Sequence, residues 1–221
     1  MSEFFDIFEN PVTLSQACKV LSLPSVFGAG TDFDTYINSR TSMFQSRTEC
    51  IQKYGFAIPC TEALEALKAL SPILEMGAGL GHWSKLLSAM GVDIISVDNY
   101  ATRYGSICDT FPRTEHVIEM DAVEAVKAYP DRNVLTIWPD YENPMAYDVA
   151  RHMKPGRLLA YIGEGGGGCT ADASFHELLH AFEFLLSVML PSWDGIHDNM
   201  EIYEVKKVSK KVLAQCEKLR D

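Results

Sequence analysis

The residues best suited to chemistry are a carboxylate, three alternate glycines and a second carboxylate: Glu75, Gly77, Gly79, Gly81 and Asp98. The glycines let main chain approach a ligand closely, and Asp98 can accept hydrogen bonds from two neighbouring hydroxyls, as a ribose presents them. A turn built for a dinucleotide places its third glycine later, so that a helix N-terminus meets the pyrophosphate. Here the third glycine comes one residue early, and Glu75 would repel a pyrophosphate. The same carboxylate suits a cationic amino group, so the pattern points to a nucleoside with a positively charged tail.

These residues need a strand, a turn, a helix and a second strand to position them. Ile73 and Leu74 form the first apolar run. Trp83, Leu86, Leu87 and Met90 then recur at helical spacing until Gly91, and Ile94, Ile95 and Val97 form the next run. The alternation continues. Strands are expected at His116–Glu119, Val134–Trp138, Arg157–Ile162, Phe184–Leu190 and Met200–Val205, with helices from Ala122 to Ala128, from Pro144 to Met153 and after Asp172. This predicts an α/β fold: a doubly wound, mostly parallel seven-stranded sheet ending in an antiparallel C-terminal hairpin. Before it, Leu14–Leu21, a stretch capped by Thr31 or Asp32 and running to Phe44, Glu49–Lys53, and a stretch capped by Thr61 read as helices, and Phe27–Gly30 reads as a turn. One domain is expected, with residues 1–60 as a helical cap, 61–208 as the Rossmann-like core and 209–221 as a C-terminal helix.

Ligands in such sheets lie beyond the carboxyl ends of the strands. Several predicted strand ends carry polar residues: Asp121 after the third, Trp138-Pro139-Asp140-Tyr141 after the fourth, and Glu164 with four glycines after the fifth. Asp121 can cap the following helix and still touch a ligand. Tyr141 can stack on a planar group, and Trp138 can either line the path of a cation or pack in the core. Glu164 precedes a glycine run whose ordering costs entropy, which suggests a loop with a function. His197-Asp198 reads first as a turn in the last hairpin, and His82 as a solvent-facing residue or a contact for a ligand carboxylate.

Glu-x-Gly-x-Gly-x-Gly followed by a strand-ending Asp resembles the cofactor motif of the class I S-adenosylmethionine-dependent methyltransferases. The resemblance implies a Rossmann-like methyltransferase fold. It implies S-adenosylmethionine held by Glu75, Gly77, Ala78, Gly79, Gly81, Asp98, Asn99, Asp121, Ala122 and Trp138, with Asp121 on the adenine amino group and the Ala122 amide on a ring nitrogen. Trp138-Pro139-Asp140-Tyr141 stands where amino methyltransferases carry an Asp/Asn-Pro-Pro-aromatic motif, but Trp138 replaces the amide or carboxylate and Asp140 the second proline. Together with the Tyr54–Leu64 and Tyr161–Asp172 stretches, these motifs look like a group of small methyltransferase-like proteins, over roughly Lys53 to Val205. Glu164, Tyr141 and Asp140 are the expected catalytic residues, on an N or O of a small-molecule acceptor. Two rivals are a nicotinamide-dependent oxidoreductase and a non-catalytic nucleoside-binding module.

Composition narrows the partners. The chain has 221 residues, 47% hydrophobic and 22% charged, with a formal net charge of −11. That charge argues against a nucleic-acid partner, which needs clustered Lys and Arg; the Lys206, Lys207, Lys210, Lys211 cluster reads as a solvated strand and helix end. Six scattered cysteines form no Cys-x-x-Cys pair, so no metal site is expected. The N-terminus has no basic region followed by an apolar run, and no stretch is long enough to span a bilayer, so a cytoplasmic protein is expected.

Overall fold

The computed structural model describes residues 3–22, 32–100 and 112–220. The expected Phe27–Gly30 turn, the Thr31 cap and Cys108 lie outside them. Three helices come first: α1 (Glu3–Glu9), α2 (Leu14–Leu21) and α3 (Phe33–Tyr54). They are followed by α4 (Thr61–Lys68), β1 (Ile73–Met76), α5 (His82–Ala89), β2 (Ile94–Asp98), β3 (Val117–Glu119) and α6 (Ala122–Ala128). The chain continues with β4 (Asn133–Ile137), α7 (Met145–Ala150), β5 (Leu158–Gly163), α8 (Ala173–Leu179), β6 (Glu183–Met189), β7 (Asn199–Glu204) and α9 (Lys210–Glu217).

The seven strands form one sheet in the order β3-β2-β1-β4-β5-β7-β6. Pairs from β3 to β5 are parallel, and β7 runs antiparallel to both β5 and β6. The antiparallel C-terminal hairpin read from the sequence is present. At the outer edge, Leu185 has no counterpart on β7, because Phe184 opposes Tyr203 and Leu186 opposes Ile202.

Apolar residues leave the sheet on both faces. Leu74, Met76, Val134, Leu159 and Tyr161 pack against α6, α7 and α8. Ile73, Leu135, Ala160, Ile162 and Ile202 pack against α4 and α5. A third cluster joins Ile7, Phe8, Leu21, Met43, Cys50 and Tyr54 to Trp193 of the β6–β7 loop, which seats the N-terminal helices on the hairpin end of the sheet.

Three local readings differ. α1 had no counterpart in the sequence pattern. The two helices expected around Phe44 and Glu49 are one, α3, which Gly55 ends with a left-handed φ of 94° and an N–H bond to Ile51. Thr61 is the first helical residue of α4 rather than its cap, and Cys60 stands at the N-cap without a side-chain bond.

Candidate functional site

The carboxyl ends of β1, β2 and β4 open into one cleft of about 320 Å³, walled on the far side by Tyr54, Gly55, Phe56 and Ala57 from the end of α3. Its floor is the turn after β1. Gly77, Gly79 and Gly81 all adopt left-handed φ, at 64°, 52° and 64°. A Cβ on Gly77 would come within 3.1 Å of the Met145 side chain, and one on Gly81 within 2.8 Å of Val117. The turn must therefore be bare backbone, and its own bonds hold it in shape: the Ala78 amide donates to Val97 O and the Gly81 amide to Ala78 O.

Two carboxylates frame that floor. Glu75 is 2% exposed and lines the cleft, with Oε2 accepting a 2.8 Å hydrogen bond from Ser96 Oγ. Burial pushes its pKa up to about 7, against the pull of the Ser96 and Ser84 hydroxyls. Asp98 accepts from the Gly79 amide through Oδ2 at 2.7 Å and from the Tyr100 amide through Oδ1 at 2.6 Å. Each carboxylate oxygen accepts about two hydrogen bonds, so capacity for one further donor remains on each, the demand of a ribose diol. Asp121 caps α6 as expected, with both bonds, from Val123 and Glu124, converging on Oδ1. Glu75, Gly77, Ala78, Gly79, Asp98, Asn99, Asp121, Ala122, Trp138 and Asp140 all line the cleft.

Other residues named from the sequence fall elsewhere. Gly81 shapes the turn without lining the cleft. Tyr141 is half exposed and lines a second depression with Gly166, Gly167 and Gly168; the two hollows meet at Pro144. Glu164, expected to face an acceptor, lines neither. Its carboxylate bridges its own loop and the β6–β7 loop: Oε2 accepts from the Cys169 amide and thiol, both at 3.0 Å, and Oε1 from the His197 amide at 2.9 Å. Burial raises its pKa, but these donors outweigh it and hold the group below the ordinary carboxylate value. The glycine run also has a packing reason. A Cβ on Gly168 would sit 2.4 Å from Glu164 Cβ, and one on Gly163 would sit 2.8 Å from the Tyr161 hydroxyl. Two backbone bonds, Ala171 N–H to Pro139 O and Glu142 N–H to Ala171 O, tie this loop to the Trp138–Tyr141 segment.

His82 is half-buried rather than solvent-facing, and it lines the cleft. Its Nε2 donates to Phe8 O of α1 at 2.9 Å, its ring packs 4.9 Å from Tyr54, and burial lowers its pKa to about 4. The Tyr54 hydroxyl in turn donates to Glu9, so α1 and α3 are fastened to the start of α5 beside the cleft. Sequence reasoning missed this fastening and Ser96, since neither carries a motif. It also treated Asp198 as a turn residue, whereas Asp198 is buried and accepts a 2.7 Å bond from the indole Nε1 of Trp138.

The lining is acidic. Glu75, Asp98, Asp121, Asp140 and Asp148 line the cleft, while no lysine or arginine among the described residues does. A pyrophosphate would find no cation there, and a cationic ligand would find several acceptors. Among the described residues no group of His, Cys, Asp and Glu could hold a metal ion, and no helix is long and apolar enough to cross a membrane.

No family model and no curated protein matches the chain. Among solved structures, the chain is similar to the Burkholderia thailandensis 1,6-didemethyltoxoflavin-N1-methyltransferase with bound S-adenosylhomocysteine, at 14% identity over 84% of this chain and 100% of that one, TM-score 0.47. It is also similar to TehB from Haemophilus influenzae, at 16% identity over 72% and 67%, TM-score 0.42, and to the N-methyltransferase NodS from Bradyrhizobium japonicum, at 13% over 75% and 98%, TM-score 0.41. At such scores the chain's own cleft must carry any reading of its activity. The strand order 3-2-1-4-5-7-6 with a reversed β7 gives the chain the fold of the class I S-adenosylmethionine-dependent methyltransferases.

Proposed function

We propose that the protein binds S-adenosylmethionine in this cleft and transfers its methyl group to an N or O of a small-molecule acceptor. The observation that carries the reading is the pairing of a bare glycine turn with a cleft that carboxylates line and to which, among the described residues, no lysine or arginine contributes. When bound, the cofactor supplies an already activated methyl group as a sulfonium.

The chain's own residues then have binding and orienting work. Glu75, when ionised, receives the cationic amino group, and its place at the end of β1 keeps it in register with the turn. Asp98 takes the ribose hydroxyls while its grip on the Gly79 amide fixes the turn beneath them. Asp121 and the Ala122 amide meet the adenine edge. Trp138, stacked on Phe56 at 5.0 Å, closes the wall between cleft and acceptor side and excludes water there. Asp140 lies in the cleft and Tyr141 beyond it, so a planar acceptor that stacks on Tyr141 approaches along this segment, past Pro144. Glu164 serves by shaping the loop behind that segment, not by taking a proton. Orientation of two reactants can contribute about 7–11 kcal/mol to lowering a barrier, which suits a site with few reactive groups of its own.

Isothermal calorimetry with S-adenosylhomocysteine and with NAD tests the reading. Binding of the first and not the second is expected. Tight NAD binding with no response to S-adenosylhomocysteine would overturn it in favour of an oxidoreductase.

A further inference from the structure

Asp198 is a buried carboxylate, 6% exposed, with an incomplete set of partners. Its Oδ1 accepts from Trp138 Nε1, while its Oδ2 is buried with no hydrogen-bond partner. A buried carboxylate is costly to keep, and costlier with one oxygen unsatisfied. The groups facing it are Glu164, Cys169 and Tyr161 from β5 and its loop, Arg47 from α3, and His197 beside it. Arg47 Nε is likewise buried without a partner, and among the described residues no hydrogen bond completes Oδ2 of the carboxylate.

The group at the other end of the bond is also unusual. Trp138 has a φ of 49°, a left-handed conformation that is a strained outlier for a bulky residue and is worth about 1–3 kcal/mol. Such a residue keeps its place only where its surroundings over-determine it. Three contacts do so: the Trp138 amide donates to Ile162 O at 2.8 Å, Phe56 stacks on the ring, and Asp198 holds the indole N–H. The first fixes only the backbone. Phe56 fixes the ring plane but lets the ring slide. Trp138 also packs against the core on the α4–α5 side, and Asp198 is the hydrogen-bond partner that sets the direction of the indole N–H.

We propose that Asp198 is a positioning residue of the cleft: its buried carboxylate holds the Trp138 indole in the orientation that forms the cleft wall, and ligand affinity depends on that orientation. This rests on the cleft being the ligand site proposed above. The hold is stronger when the carboxylate is charged. Burial, with the nearby Glu164 charge adding to it, raises the Asp198 pKa to about 7, so the strength of the hold changes near neutrality.

The test uses the full chain labelled with ¹⁵N. Its three tryptophans give three indole N–H resonances, and Trp138→Phe identifies the one from Trp138. In the wild type that resonance should move between about pH 6 and about pH 8. It should stay still in Asp198→Asn, which keeps an acceptor oxygen but no titrating group. It should still move in His197→Ala, which removes the neighbouring imidazole. Asp198→Ala should displace the resonance and weaken S-adenosylhomocysteine binding by about tenfold, and Asp198→Asn should recover most of that loss. An unmoved resonance and wild-type affinity in Asp198→Ala would overturn the proposal. So would an unchanged pH response in Asp198→Asn, a comparison that holds even if the alanine variant does not fold. If the wild type binds no S-adenosylhomocysteine, the reading of the cleft falls, while the indole titrations still decide whether Asp198 holds Trp138.

Discussion

Glu75→Gln separates what the buried carboxylate does to the free protein from what it does for a ligand. Burial carries its pKa from the ordinary 4.5 to about 7, and at about 1.36 kcal/mol per pH unit that gap amounts to about 3 kcal/mol. The sign follows from the direction. Between these two values the folded state keeps a proton that the unfolded chain has released. The favourable contribution is therefore complete below pH 4.5, declines above it, and is lost once the pH has risen through about 7. Glutamine cannot ionise, and it retains an acceptor for Ser96. The variant should match the wild type near pH 4.5 and exceed it by about 3 kcal/mol at about pH 8.5, read from urea unfolding midpoints at constant m. Asp198, pushed up in the same way, is present in both proteins and cancels in the difference. The same substitution should weaken S-adenosylhomocysteine binding at about pH 8 by about 1.5–3 kcal/mol, since an amide does not attract an ammonium group as a carboxylate does. A stability difference that is flat with pH would refute the premise that Glu75 is held protonated by its surroundings. Unchanged affinity would refute its role toward the ligand.

Asp98→Ala should cost about 1.5–3 kcal/mol of cofactor affinity by calorimetry while leaving a folded circular dichroism spectrum, and wild-type binding would remove Asp98 as the ribose acceptor. Glu164→Gln replaces one acceptor oxygen by an amide facing either the Cys169 or the His197 donor. It should lower stability by about 1–3 kcal/mol with near-normal S-adenosylhomocysteine affinity, and a stability equal to wild type would contradict the loop network. His82→Ala leaves the Phe8 carbonyl without its donor, so amide hydrogen exchange over Glu3–Glu9 should speed up relative to α6. Unaltered exchange there would mean that α1 is held by apolar packing alone.

The fold and the cleft floor were largely legible in the sequence, because their signals are local. β1, the glycine turn, α5 and β2 lie within a short stretch, and the positive φ at three glycines is something only glycine supplies cheaply. The N-terminal helices were read poorly for a physical reason. The buried residues of α3, Met43, Cys50, Ile51 and Tyr54, lie from its middle onward, while Phe33 and Phe44 are 65% and 67% exposed, so the helix shows no consistent apolar stripe. Glu164 misled in the opposite direction. A carboxylate beside glycines at a strand end looks catalytic until the Cys169 and His197 amides are seen to fold onto it. The Trp138–Asp198 bond joins the residue that follows β4 to the loop of the last hairpin, a pairing that no local pattern announces.

The unpaired Leu185 bears on how the molecule behaves in crowded solution. β6 is an outer strand that displays Phe184, Leu185, Leu186 and Met189, a combination of open backbone and apolar side chains that ordinarily invites another strand. An incoming strand needs evenly spaced donors and acceptors along its whole length. The extra residue interrupts that spacing in the first part of β6, so a newcomer that matched one side of it would be out of step on the other. The defect thus shields the chain from open-ended stacking at its greasiest edge, and a net charge of −11 adds mutual repulsion between copies.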